Sequence, residues 1–160
     1  MRRMALALMI LSFVASPLLA VDAGKAAGAV IVDGTRIDLA YAYAVDHQKN
    51  ELTMKKNDTR IVLTDKPLPD DVKLDEIDYS FPEGTMGVVV CVTRDDKVSH
   101  VVVQHPKGMY DAGYFDSDRD YHFKPVKSDP GTIAGNVSSR KITTNTMTFS
   151  LEVDFNAVVK

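Results

Sequence analysis

The sequence predicts an all-β protein, an antiparallel β-sandwich of about eight strands with a small β-barrel as the alternative. Three observations carry this. In residues 147–156, Met147, Phe149, Leu151, Val153 and Phe155 alternate with Thr148, Ser150, Glu152, Asp154 and Asn156. That period of two gives a strand one dry and one wet face. Two pairs of apolar runs flank short turn signals, Asp33-Gly34 and "TRDDK". Helical periodicity is almost absent.

Each element follows from local chemistry. "AVIV" and "RIDLAYAYAV" flank Asp33-Gly34, whose residues tolerate the positive φ of a tight hairpin. In the second run Leu39, Tyr41, Tyr43 and Val45 are expected on one face, and Ala40, Ala42 and Ala44 on the other. "RIVLT" is the next strand. The stretch "DKPLPDDVKLDEIDYSFPEG", with three prolines and many acids, reads as a long connection with one helical turn near residues 71–77. "MGVVVCV" and "VSHVVVQ" form a second hairpin, and their unbroken valines predict strands covered on both faces. A long loop over residues 110–123 follows, then strands at "YHFKPV", "TIAGNV" and "TMTFSLEVDFNAVV".

The first twenty residues stand apart. Arg2 and Arg3 precede an apolar run over residues 4–14, then Ser16, Pro17 and Ala20, the pattern of a secretory signal peptide. Cleavage is expected after Ala20 or Ala23. The run is too short for a membrane span, which needs roughly 20 apolar residues. Residues 21–28 read as a small-residue spacer and 29–160 as a single domain. The location expected is periplasmic or secreted.

Of the 19 basic side chains two lie in this leader, so 17 remain against 22 acids, a net charge of −5. With no basic cluster, a nucleic-acid partner is not expected. A single cysteine, Cys91, excludes an internal disulfide.

The segments "VDGTRIDLAYAYAV", "IVLTDKPLP", the central valine hairpin, "TIAGNV" and "FSLEVDFNAVV" also carry a resemblance. Over residues 30–158 the chain resembles a group of uncharacterised exported bacterial proteins. The resemblance implies a β fold and export, and no activity or site residue.

The candidate chemistry centres on "YDAGYFDSDRDYHF", where aromatic rings crowd beside acids. Tyr110, Tyr114, Phe115 and Tyr121 are the expected ligand-binding residues, since rings on a loop can stack a small ligand or anchor an envelope protein. Asp116, Asp118 and Asp120 alternate like the first ligands of a calcium loop. The pattern then fails, with Tyr121 where glycine belongs and Lys127 where a bidentate glutamate belongs. A weak calcium module, or a copper site using His105 and Met109, is a further alternative.

His100 and His105, an odd number apart, are expected on opposite faces of one strand. No G-x-S-x-G, H-E-x-x-H, phosphate loop or dinucleotide motif is present. Cys91 within "VVVCV" reads as a core residue. The expectation is therefore an exported, non-enzymatic binding module with no cofactor. The alternative class is a periplasmic hydrolase using carboxylates or histidines, with His105 and Asp118 as its residues to test.

Overall fold

The computed structural model describes residues 21–49, 56–74, 77, 81–112, 120–145 and 147–160. β1 (Lys25–Val32) and β2 (Thr35–Lys49) form the expected hairpin, with φ of 49° at Asp33 and 82° at Gly34. β1 begins at Lys25, so the second half of the anticipated spacer is strand. Small residues belong there because β1 lies hard against β10 (Thr148–Val159). A Cβ at Gly28 would come within 2.2 Å of the Glu152 carbonyl oxygen.

β2 does not keep one face throughout. Leu39, Ala42 and Ala44 pack on the main core, whereas Tyr43 and Val45 pack on the opposite side. The expected grouping of Leu39 with Tyr43 and Val45 is thus corrected by a change of phase near Ala40 and Tyr41. Its cause lies in the pairing. Residues 35–39 serve β1, residues from Tyr41 onward serve β3 (Lys56–Thr64), and the β1 register shifts between Lys25 and Gly28.

β4 (Gly87–Val92) is buried along its whole length, and β5 (Val98–His105) everywhere except Gln104. Both faces are covered, as their valines require. On one side Val88, Val90, Val101 and Val103 join the main core. On the other, Val62, Val89 and Val102 pack under Leu68, Leu74 and Ile77 of the connection before β4. Tyr43 Oη accepts the Leu68 N–H at 3.0 Å, and Asp65 Oδ1 accepts the Met86 N–H at 2.9 Å, fixing that connection over the strands. The helical turn expected near residues 71–77 lies partly outside the described residues.

The chain continues through β6 (Gly108–Ala112), β7 (Tyr121–Val126), β8 (Thr132–Ser139) and the two-residue β9 (Ile142–Thr143). The all-β, antiparallel expectation holds. The strands form one hydrogen-bonded sheet in the order β6-β5-β4-β3-β2-β1-β10-β8-β7, with β9 beside β10. The only parallel contact described is a short one where β10 passes the end of β1 and meets β2, Val158 opposite Tyr43. This sheet curls into a half-barrel, an architecture between the sandwich and barrel readings.

Its concave side holds the core. Phe149, Leu151, Val153 and Phe155 of β10 are at most 2% exposed, as their alternation predicts, and each contributes about 1.5–3 kcal/mol on burial. Among the described residues no helix is long and apolar enough to cross a membrane.

Candidate functional site

Of the residues singled out for ligand binding, Tyr110 and Tyr121 are described. Tyr114 and Phe115 lie outside the described residues, as do Asp116 and Asp118. Neither described tyrosine is on a loop: Tyr110 is in β6 and Tyr121 opens β7. Both turn inward. Tyr110, opposite Val103 on β5, is half-buried with its ring 4.9 Å from that of Phe149 at 54°. Tyr121 is 5% exposed and stacks on the same Phe149 at 6.4 Å and 28°. Phe123 stacks on Phe155 at 6.1 Å. The expected long aromatic loop is therefore shorter, because strand pairing claims both of its ends.

Asp120 forms an ion pair with the Arg140 Nε, and its carbonyl accepts the Arg140 N–H at 3.2 Å. The one described acid of the calcium-like series thus engages a guanidinium. Among the described residues no three His, Cys, Asp or Glu side chains converge as metal ligands.

The hairpin turn contributes more than a reversal of direction. Asp33 donates its N–H to the Thr148 carbonyl at 2.7 Å and accepts the Thr148 N–H on Oδ1 at 2.8 Å. Its Oδ2 accepts from Lys107 Nζ at 3.0 Å, so this turn is clasped to the β5–β6 turn across the mouth of the curl. The Thr148 hydrogen bond, then Lys107, holds the Asp33 carboxyl below its usual range.

His105 sits beside this clasp, 2% exposed, with its Nδ1 accepting the Lys107 N–H at 3.2 Å. Burial pushes its pKa below 6.5, and Asp33 only partly opposes this. A neutral imidazole whose Nδ1 accepts carries its proton on Nε2. That Nε2 and the Tyr121 hydroxyl are buried without hydrogen-bond partners among the described residues. Burial, then the neighbouring Tyr110, pushes the Tyr121 pKa upward. Burial, then Asp111 and Asp120, does the same for Tyr110. An open cleft of about 570 Å³ borders this region, with Asp33, Thr148, Phe149 and Lys141 in its wall.

The convex side carries a second polar group. His100 and His105 do face opposite ways: His100 follows Val102 outward and places Nε2 3.0 Å from Asp111 Oδ1. Cys91, a buried cysteine outside any disulfide, lies opposite His100 across the β4–β5 pair. Ser99 donates to Asp58 Oδ2 at 2.6 Å rather than to its neighbour His100. Arg60 donates to the Leu74 carbonyl at 3.3 Å. All of these except the exposed Asp111 are buried.

No family model, curated protein or solved structure matches this chain. The site therefore stands on its own geometry. Asp33 and Phe149 were not among the expected site residues, and His105 was expected only as a copper ligand or a hydrolase residue. The signal for them was present in part: "HPKG" is a tight turn that returns the Lys107 N–H to His105, and Asp33 opens the turn that faces it.

Proposed function

We propose that the protein is an exported, non-enzymatic binding module that takes a small ligand at the mouth of its curled sheet. The observation that carries this is the Tyr110–Phe149–Tyr121 cluster. It joins both edge strands of the sheet to β10, and Phe149 also borders an open cleft. Aromatic walls with a few fixed polar groups are the usual composition of a small-molecule site. A docked envelope protein is the other occupant this reading admits, and Tyr110 would then be its anchor.

Export rests on the leader, with its two arginines, apolar run and small-residue exit, and on the resemblance to exported bacterial proteins. The periplasm or the medium is the corresponding location. Asn156 Nδ2 donates to the Val21 carbonyl at 3.0 Å, which favours cleavage after Ala20 because that keeps this contact.

A thermal-shift screen of small neutral and charged compounds tests the binding reading. A compound that raises the midpoint of the wild-type protein should lose its effect on Tyr110→Ala, measured under the same conditions. If no compound shifts the wild type, or if Tyr110→Ala responds equally, the reading falls. N-terminal sequencing of the protein from a fractionated cell tests export, with Val21 as the expected first residue.

A further inference from the structure

We infer that the protein binds its own processed terminus: the Val21 α-ammonium released by cleavage after Ala20 docks in the cleft beside Asn156 and Asp154 and completes the fold. This rests on the export reading and gives cleavage a structural role.

Hydrogen bonds fix the place. Asn156 of β10 holds residues 21–24 at two points. Its carbonyl accepts the Gly24 N–H at 2.7 Å, and its Nδ2 donates to the Val21 carbonyl at 3.0 Å. The Asp22 carbonyl accepts the Lys25 N–H at 3.0 Å, which closes the turn. Val21 is thus seated on the sheet, where it lines a cleft of about 290 Å³ together with Lys127, Asp129, Asp154 and Asn156. That volume is small for a separate ligand.

Asn156 is left with one unmet acceptor. A carbonyl only accepts, so the amide atom facing Val21 is the nitrogen, and Oδ1 points elsewhere. This Oδ1 is buried with no hydrogen-bond partner among the described residues, which costs stability until a donor arrives. Cleavage supplies donors on the very residue that the same amide grips. A peptide N–H has one hydrogen, held in the peptide plane. In the uncut chain it does not satisfy Oδ1. A free terminus carries hydrogens that rotate, and it is an ammonium at neutral pH because α-amino groups titrate near about 7.7–8.0.

The charge of the cleft favours this cation. Asp154 stands on the same face of β10 as Asn156, and its Oδ1 is held by Asn136 Nδ2 at 2.9 Å. Asp129 is a second acid in the lining, against Lys127 alone on the basic side. Lys25, close by in the chain, lies over the Tyr41 ring at 4.2 Å. A neutral peptide bond to the leader gains nothing from these carboxylates, so the chain reaches full stability only after processing.

The chain beginning at Val21, which contains every described residue, is compared with the same chain acetylated on Val21, which restores a neutral amide there. Urea denaturation at neutral pH reads both. Acetylation should raise the unfolding constant about tenfold in the wild type, and less than about twofold in Asn156→Ala, with Asp154→Asn in between. Asp154→Asn keeps the shape and carries the test if Asn156→Ala does not fold. No effect of acetylation on the wild type overturns the inference. An equal effect in the wild type and the variants also overturns it, since that is a general response to net charge. N-terminal sequencing of the exported protein separates this from export itself. A mature chain that begins at Gly24 has lost Val21, so the inference falls while export stands; a retained leader overturns both.

Discussion

The rings of Tyr110 and Phe149 lie 4.9 Å apart, although five strands separate β6 from β10 along the hydrogen-bonded path of the sheet. Contact between them requires the sheet to curl until the β6 edge reaches the concave face of β10, two strands in from the opposite edge. The pair is thus a fastener for curvature. Tyr110→Ala should lower unfolding stability by about 1.5–3 kcal/mol, and Tyr110→Phe by much less, in urea denaturation.

Tyr121 stands against the same ring with a hydroxyl that has no partner among the described residues. Removing that hydroxyl should remove a desolvation cost, so Tyr121→Phe should gain about 1 kcal/mol at neutral pH. The raised Tyr121 pKa has a second consequence. The folded state holds its phenolic proton where the unfolded chain releases it, so stability is full below about pH 10 and declines above. That alkaline decline should be smaller in Tyr121→Phe, as read by denaturation between pH 8 and 11.

His105 gives the acid side of the profile. Its folded pKa lies below 6.5, so the unfolded chain binds the proton first as pH falls. Stability should be complete above about pH 6.5 and decrease below it, with a further loss below pH 3.8 as Asp33 releases Thr148 and Lys107. His105→Gln should flatten the first decrease and leave the second, in melts between pH 3 and 8.

Two glycines should respond differently to alanine. At Gly28 the added methyl meets the Glu152 carbonyl at 2.2 Å and the Val153 Cα at 2.6 Å, backbone atoms that cannot step aside. Gly28→Ala should cost more than about 3 kcal/mol or prevent folding. At Gly34 nothing lies within 4 Å, and only the φ of 82° opposes a side chain. Gly34→Ala should cost about 1–2 kcal/mol, and comparing urea midpoints separates the two mechanisms.

On the convex side, Ser99 donates to a buried Asp58 carboxylate at 2.6 Å. Ser99→Ala deprives that acid of a donor, and a loss of about 2 kcal/mol is expected by urea denaturation. Ser99→Thr, which keeps the hydroxyl, should recover part of it.

What the sequence discloses here follows the strength of alternation. β10 was legible because ten residues keep period two, and β4 and β5 because valines on both faces need cover on both faces. β6 was not legible: "GMYDA" is short, opens on glycine and has Asp111 near its end, so it reads as loop until β5 pairs with it. The phase change in β2 was equally hidden, since both of its faces carry residues that tolerate burial. As for the site, Tyr110 and Tyr121 were visible as rings in a dense cluster, but their inward orientation is a product of strand register. Phe149 became the neighbour of Tyr110 only through curvature. Pairings between distant parts of the chain, such as Val30 with Leu151, leave no local mark.

One such pairing governs how the protein can assemble. β1 is flanked by β2 and by the closing strand β10, with Lys25 through Val32 matched to Asn156 through Phe149. A nascent polypeptide thus finishes its earliest hairpin long before the neighbour that completes it exists. Folding waits on the arrival of twelve C-terminal residues, which makes contact order high and the rate correspondingly slow. A chain threaded end-first through a narrow channel would stay uncommitted until its tail emerged on the far side.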